Sequence, residues 1–183
     1  MNKLVIGGLF ILMVLAQWYV PGNMISQEEK VLTEGTMYKF KTEPIDPSDP
    51  FRGKYIVLNY EVNSFRSDTA ICKYYDKLYV SIGVDSLGFA KATRIGLSEP
   101  EIGDFVIADC SGFYNGKQSF SLPFDTYYMN EDKALLAEEA VREVQRDSLP
   151  SVCFGVVYVL GDRAVLDDVQ IDGVSIKDYV EKP

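Results

Sequence analysis

The chain opens with a long run of apolar positions. From Leu4 to Val20 the sequence carries no charged residue and a single polar side chain. As a helix this run is about 25 Å long, at about 1.5 Å per residue. Continuing it to Ile25 gives a length that matches the hydrocarbon core of a bilayer, which is about 30 Å thick. We therefore predict a transmembrane anchor over residues 1–25, which contacts the bilayer through residues 4–25.

The charges that flank this run predict its orientation. Lys3 precedes it, whereas Glu28 and Glu29 follow it. This asymmetry favours a single-pass protein of the inner or cytoplasmic membrane, with its N-terminus inside and its C-terminal domain extracytoplasmic, as in the periplasm. A cleavable signal peptide is the alternative, since the run is short and residues 14–16 resemble a cleavage site. A buried core helix is disfavoured, because the run is apolar on every face. Whether the segment is cleaved stays open.

The next ten residues, 26–35, predict a short juxtamembrane helix that continues the spanning one as a stalk. Ser26 is suited to cap its first turn, and Gly35 is suited to end it. An extracytoplasmic domain then occupies residues 36–183. Asn130 begins the most convincing helix of that domain, which is predicted to reach residue 147. Its thin apolar stripe indicates one side laid against a sheet, and the stripe consists of Ala134, Ala137, Val141 and Val144.

The rest of the domain alternates apolar and polar residues with the period of β-strands. In the segment KYIVLNYEV, Tyr55 and Tyr60 fall on opposite faces, so we expect one of them to belong to the core. Short turns between the strands favour a mainly β fold of the β-rich α+β class, an antiparallel sandwich or barrel-like domain with one packed helix. Strands are predicted at residues 36–42, 54–62, 77–84, 89–95, 104–110, 117–122, 152–160 and 164–171.

Composition and charge exclude several functions. The net charge of −9, with no offsetting basic cluster, excludes nucleic acid as a partner. The absence of histidine removes Ser-His-Asp and Cys-His catalysis and His-ligated zinc. Three cysteines, Cys72, Cys110 and Cys153, allow at most one intramolecular disulfide. Cys153 lies in an apolar run, which predicts a buried small residue rather than a reactive thiol.

Three segments of the chain resemble a known family. EPIDPSDPFRGKYIVLNYEV is similar to the core motif of the GDYXXLXY proteins. Lys54 stands where that motif has its acidic residue. The segments LPFDTYYMNEDKALLAEEA and VLDDVQIDGVSI resemble the aromatic-plus-acidic block and the closing hairpin of the same family. The positions that match are Gly53, Tyr55, Leu58 and Tyr60 in the first segment and Tyr127, Tyr128, Glu131 and Glu139 in the second.

The resemblance implies a cellular location, but it implies no chemical reaction. Proteins of this family are anchored extracytoplasmic domains, often encoded beside a polytopic membrane protein. The resemblance therefore makes such a membrane protein an expected partner.

Candidate binding residues each have a competing structural explanation. Arg52 can clamp a carboxylate or phosphate, but an ion pair within the domain, with Asp46, Asp49 or Glu131, is the favoured explanation. Tyr127 and Tyr128 can wall a ligand pocket, or they can cover the core where helix meets sheet. The two acidic clusters lack the pattern of a calcium loop, so no metal and no cofactor is predicted. They are Asp46, Ser48 and Asp49, and Asp167, Asp168 and Asp172.

The favoured function is therefore an accessory or binding module without catalysis. It would dock a polytopic membrane protein or a small exported ligand. The alternative is an extracytoplasmic hydrolase that uses a Ser/Lys pair or paired carboxylates. The expected ligand- or partner-binding residues are Arg52, Tyr55, Tyr60, Tyr127, Tyr128, Glu131 and Glu139.

Overall fold

The first element of the chain is one long apolar helix. The computed structural model describes residues 3–43, 55–130 and 152–180, and seven more residues at 133, 136, 137, 139–141 and 144. Helix α1 runs without a break from Lys3 to Glu34 and contains Pro21. It is long and apolar enough to cross a membrane, and its most apolar stretch is unburied. The large side chains of residues 9–13 are all exposed, and five consecutive residues turn through more than a full circle.

The C-terminal end of α1 packs directly against the β-domain. Val31 is 1% exposed, and α1 contacts strands β10 (Cys153–Leu160) and β11 (Arg163–Ile171). A Cβ atom on Gly35 would lie 2.4 Å from the Val31 carbonyl oxygen and 3.0 Å from that of Val159. Only glycine therefore allows the chain to leave the helix at this point. The predicted juxtamembrane helix is thus the last part of α1, and its final turns belong to the domain.

Twelve strands form the β-rich domain in the part of the chain that the structure describes. One five-stranded sheet has the order β12-β11-β10-β1-β3, a second has the order β4-β8-β7-β5-β6, and β2 pairs with β9. All pairings are antiparallel, and together they give a nearly closed sheet. The strands not yet bounded are β1 (Thr36–Glu43), β2 (Tyr55–Val57), β3 (Asn59–Tyr60), β4 (Ser64–Arg66), β5 (Lys77–Val84), β6 (Ala90–Gly96), β7 (Phe105–Tyr114), β8 (Lys117–Ser121), β9 (Thr126–Tyr128) and β12 (Val174–Ser175). A short helix, α2 (Ile176–Tyr179), follows β12.

An aromatic cluster fills the core between the sheets. Phe40, Tyr60 and Phe124 meet edge to face, with ring centroids 4.9 to 5.7 Å apart. The Tyr60 hydroxyl donates a hydrogen bond to the Phe124 carbonyl oxygen at 2.9 Å. Burial raises the pKa of Tyr60 far above its ordinary value, so this phenol stays neutral. The expectation that either Tyr55 or Tyr60 belongs to the core is confirmed, and Tyr60 is that residue, with 0% exposure.

The predicted fold class is confirmed: the domain is mainly β and antiparallel, and an apolar helix precedes it. The predicted strand 54–62 is split into β2 and β3, yet alternate residues from Ile56 to Val62 are buried as expected. The described residues between 133 and 144 are helical, and Ala137, Val141 and Val144 are buried. Pattern reasoning missed β4, β9 and β12, which contain only two or three residues each.

A disulfide fixes the segment before β5 to the second sheet. Cys72 and Cys110 are bonded, whereas Cys153 is a buried free thiol whose pKa is raised by burial. Gln118, with 0% exposure, accepts a hydrogen bond from the Ile71 amide at 3.0 Å. It also donates to the Cys110 sulfur at 3.2 Å and to the carbonyl oxygen of residue 112 at 2.6 Å. One intramolecular disulfide therefore forms, which is the most that three cysteines allow, and the buried Gln118 amide supports it.

Candidate functional site

Two of the family-like segments meet in a two-stranded ribbon. Strand β2 from the first segment pairs with β9 from the second, which places Tyr55 opposite Tyr128 and Ile56 opposite Tyr127. The rings of Tyr55 and Tyr128 lie 5.6 Å apart, centroid to centroid. Tyr128 is 73% exposed, whereas Tyr127 is 5% exposed. Neighbouring residues of a strand point to opposite faces. The ribbon therefore has Tyr55 and Tyr128 on its outer face, and Ile56 and Tyr127 on its inner face.

The third family-like segment supplies the inward partner of Tyr127. The Tyr127 hydroxyl donates a hydrogen bond to Asp168 Oδ1 at 3.2 Å. Ser175 Oγ donates to the same oxygen at 2.9 Å, and Gln170 Nε2 donates to Asp168 Oδ2 at 3.2 Å. One half-buried carboxylate thus receives three donors. We call Tyr127, Asp168, Gln170 and Ser175, together with Lys177, the Asp168 network.

Lys177 completes this network from helix α2. Its ammonium lies 5.6 Å from the centroid of the Tyr127 ring. The hydrogen bond with Tyr127, followed by the charges around it, raises the pKa of Lys177. The pKa of Tyr127 is also raised, first of all by burial. A lysine that serves as a general base needs a lowered pKa. The pKa of Lys177 is raised instead, so its ammonium form is stabilised.

A β-bulge sets the direction of Asp168. Val157 pairs with Leu166, but the preceding Val156 pairs with Asp168, so Asp167 is an extra residue on β11. A bulge reverses which face the following side chains occupy. Asp168 and Leu166 therefore lie on opposite faces, although only Asp167 separates them. The sequence contained the acidic pair Asp167–Asp168, but nothing in the periodicity marked which carboxylate would face Tyr127.

The other predicted site residues have different positions. Tyr60 lies in the core, so its expected role in binding at the surface was wrong, because its ring and hydroxyl are enclosed by Phe40 and Phe124. Glu139 is exposed on the helical segment. Arg52 and Glu131 lie outside the described residues.

A second surface feature is a cavity that sequence reasoning did not anticipate. It has a volume of about 540 Å³ and lies on the outer side of β5 and β6. Tyr79, Ser81, Arg94, Glu99 and Ile102 are among the residues that line it. The cavity is lined by one guanidinium, that of Arg94, and by two carboxylates, those of Glu99 and Glu101. None of the described residues expected to bind a ligand or partner lines it.

The two acidic clusters of the chain, at residues 46–49 and 167–172, are candidates for metal binding. Within the described ranges, no group of three or more Asp, Glu, Cys or His residues is arranged to hold a metal ion. The three aspartates at 167, 168 and 172 therefore do not form a site together. The cluster at 46–49 lies outside those ranges.

The fold and the ribbon define a class: a β-rich domain that carries one exposed apolar helix at its N-terminal end. The family model described as GDYXXLXY protein matches residues 17–168. The chain therefore belongs to the GDYXXLXY family, as the three segments indicated. No curated protein and no solved structure matches it.

Proposed function

We propose that this protein is a membrane-anchored extracytoplasmic binding module, and that it docks the exported part of a polytopic membrane protein through the Tyr55–Tyr128 pair. The observation that carries the proposal is the apolar stretch of α1 from Val5 to Ile25, whose large apolar side chains are exposed on every face. Exposed to water, those side chains would cost about 25 cal/mol for each Å² of apolar surface. A bilayer removes that cost, because the helix is long enough to cross it.

The disulfide supports the compartment. Cytoplasmic thiols are kept reduced, whereas disulfides form and persist in exported domains. Cys72 and Cys110 are bonded within the β-domain, and Cys153 is kept apart from them in the core. The orientation with Lys3 inside and the domain outside agrees with this bond.

The Tyr55–Tyr128 pair supports docking. Tyrosine provides a large rigid ring and a hydroxyl at small cost in side-chain entropy, which makes it frequent at protein interfaces. Pairing across β2 and β9 holds the two rings together, and the Asp168 network fixes the ribbon from its inner side. The exposed face is therefore ordered before a partner arrives, which lowers the entropy lost on binding.

Topology is tested with single cysteines on a Cys153→Ala background. Asn2→Cys, which keeps Lys3, and Asn115→Cys are treated with a membrane-impermeant maleimide in intact cells or spheroplasts. Asn115 occupies a turn between β7 and β8. We expect labelling of Asn115→Cys before lysis and of Asn2→Cys only after lysis, with both proteins resistant to carbonate extraction. Labelling in the reverse order, or release of the full-length chain by carbonate, would contradict the anchor.

Docking is tested by placing the photo-crosslinker p-benzoylphenylalanine at Tyr128. Tyr114 is the matched control, since it is also an exposed strand tyrosine, at 77% against 73% for Tyr128. We expect a specific adduct with a membrane protein from position 128 and not from position 114. Tyr128→Ala should then reduce co-purification of that protein without a change in thermal stability. The same adduct from both positions, or none from 128, would refute docking at this face.

A further inference from the structure

The junction between α1 and the domain leaves almost no spacer above the membrane. Residues 4–25 span about 33 Å as a helix, slightly more than the hydrocarbon core of about 30 Å. Side chains of α1 become partly buried again at Gln27, and Val31 is 1% exposed. The ion pair between Glu28 and Arg163 thus brings the domain into contact with α1 three residues after the apolar stretch ends.

This short distance can be compared with the thickness of the headgroup layer. Each headgroup layer is about 5 to 7 Å thick, from a total bilayer of about 40 to 45 Å. Glu28 lies three residues beyond Ile25, a rise of about 4.5 Å, and Val31 lies about 9 Å beyond it. Glu28 therefore falls inside the headgroup layer, and Val31 lies just above that layer.

Contacts between α1 and the hairpin of β10 and β11 bring the domain to the same level. Glu28 Oε1 lies 3.7 Å from a terminal nitrogen of Arg163, the first residue of β11. The turn before it, Gly161 and Asp162, is exposed. Because α1 is one continuous helix packed on this hairpin, the depth of the turn follows from the depth of the helix.

We infer that the β10–β11 turn, with the facing side of α1, is a lipid-contacting surface that rests in the headgroup layer of the outward leaflet. The inference rests on the anchor proposed above. The surface fits zwitterionic headgroups, because the Arg163 guanidinium can bind a phosphate while neighbouring carboxylates face lipid ammonium groups. Its charged residues carry three negative and two positive charges, and they are Glu28, Glu29, Lys30, Asp162 and Arg163.

The inferred depth also limits the height of the proposed docking site. Asp168 lies five residues along β11 from Arg163, which corresponds to a distance of at most about 16 Å at about 3.3 Å per residue. The Asp168 network therefore lies no more than about 16 Å above the level of Arg163, and the Tyr55–Tyr128 ribbon lies next to this network.

The opposite end of the domain provides a control position. Asp104, just before β7, accepts a hydrogen bond from Tyr38 near the start of β1 at 2.8 Å. Ser111, near the end of β7, lines a cavity with Glu43 at the end of β1. Strand β7 thus runs away from the helix, and the turn at Asn115 lies on the far side of the domain.

The test uses nitroxide labels on the full-length chain in phosphatidylcholine nanodiscs. Asp162→Cys and Asn115→Cys are labelled on the Cys153→Ala background, and their accessibility to oxygen and to a water-soluble nickel chelate is compared by power saturation. We expect the label at 162 to lie within about 5 Å of the phosphate level, the thickness of the headgroup layer. The label at 115 should be fully aqueous.

A flexible six-residue Gly-Ser insertion after Ser26 provides the structural control. It should keep the protein in the nanodisc and shift the label at 162 to the aqueous value. A label at 162 that is as aqueous as the one at 115 without the insertion would overturn the inference, while the anchor itself would stand. Failure of the full-length chain to enter nanodiscs would overturn the anchor and the inference together.

Discussion

Replacing Asp168 by alanine tests whether the Asp168 network holds the ribbon in place. The carboxylate accepts hydrogen bonds from Tyr127, Ser175 and Gln170. Ser175 and Gln170 are half-buried and can turn to water, so their loss costs little. Tyr127 is 5% exposed, and its hydroxyl loses a charged acceptor. We therefore expect Asp168→Ala to lower the free energy of unfolding by about 2 kcal/mol.

A double-mutant cycle with Tyr127→Phe separates this bond from general damage. The single change Tyr127→Phe should cost about 1.5 kcal/mol, since it removes the donor and leaves Asp168 with its other two partners. The double variant should cost about 2 kcal/mol rather than the sum, which gives a coupling energy of about 1.5 kcal/mol. Urea unfolding of the full-length chain in mild detergent, followed by circular dichroism, measures all three.

Asp167→Ala is the matched control, because it removes the same charge from the neighbouring exposed position of β11. It should change stability by less than about 0.5 kcal/mol. If the two single changes add within about 0.4 kcal/mol, the hydrogen bond between Tyr127 and Asp168 does not stabilise the ribbon. A cost for Asp167→Ala equal to that of Asp168→Ala would also refute the assignment, because the bulge would then not select between them.

Three further changes test the rest of the domain. Gln118→Ala should lower stability by about 2 kcal/mol, because it leaves the part-buried backbone groups of Ile71 and Gly112 without their side-chain partner; an unchanged urea midpoint would contradict this. Reduction of the Cys72–Cys110 bond, which closes a loop of 38 residues, should cost about 4 kcal/mol; equal thermal midpoints with and without reductant would count against it. Burial and the bond to Asp104 raise the pKa of Tyr38 to about 12. The contribution of the neutral Tyr38 hydroxyl to stability is therefore present below pH 10 and lost between pH 10 and 12. In a pH titration of thermal unfolding, Tyr38→Phe should thus lose less stability than the unchanged protein over this range.

Most of the fold was predictable because its signals are local. The alternation from Tyr55 to Val62 fixes which side chains are buried, whether or not the strand is continuous. The boundaries of β5 (Lys77–Val84) agree with prediction because polar turn residues follow it. Strands β9 and β12 were missed because two or three residues are too few to show a period. Strand β9 exists because β2, which is distant in sequence, pairs with it, and β12 exists because a two-residue turn folds it back onto β11.

The candidate site was only partly predictable, because its contacts are not local. Tyr127 and Asp168 are 41 residues apart, and a bulge in β11 decides which aspartate faces the tyrosine. No periodic pattern contains either fact. The resemblance to a family named Tyr55, Tyr127 and Tyr128, which lie together in the ribbon, but it also named Tyr60, which is in the core. A family motif includes residues that are needed for folding as well as residues that are needed for binding. The burial of each residue in the structure distinguishes these two groups.

The difference between buried and exposed positions determines which residues of the ribbon are available to bind a partner. Ile56, Leu58, Tyr60 and Tyr127 are all at most 5% exposed, so the requirements of the core explain them fully. The same requirement does not explain Tyr128, which is 73% exposed beside Tyr55 on the opposite face. An exposed ring on a short strand adds little to stability, so replacing it should leave folding intact. A loss of partner binding without a loss of stability in Tyr128→Ala would therefore attribute this half of the ribbon to recognition, whereas changes at the four buried positions would affect both properties together.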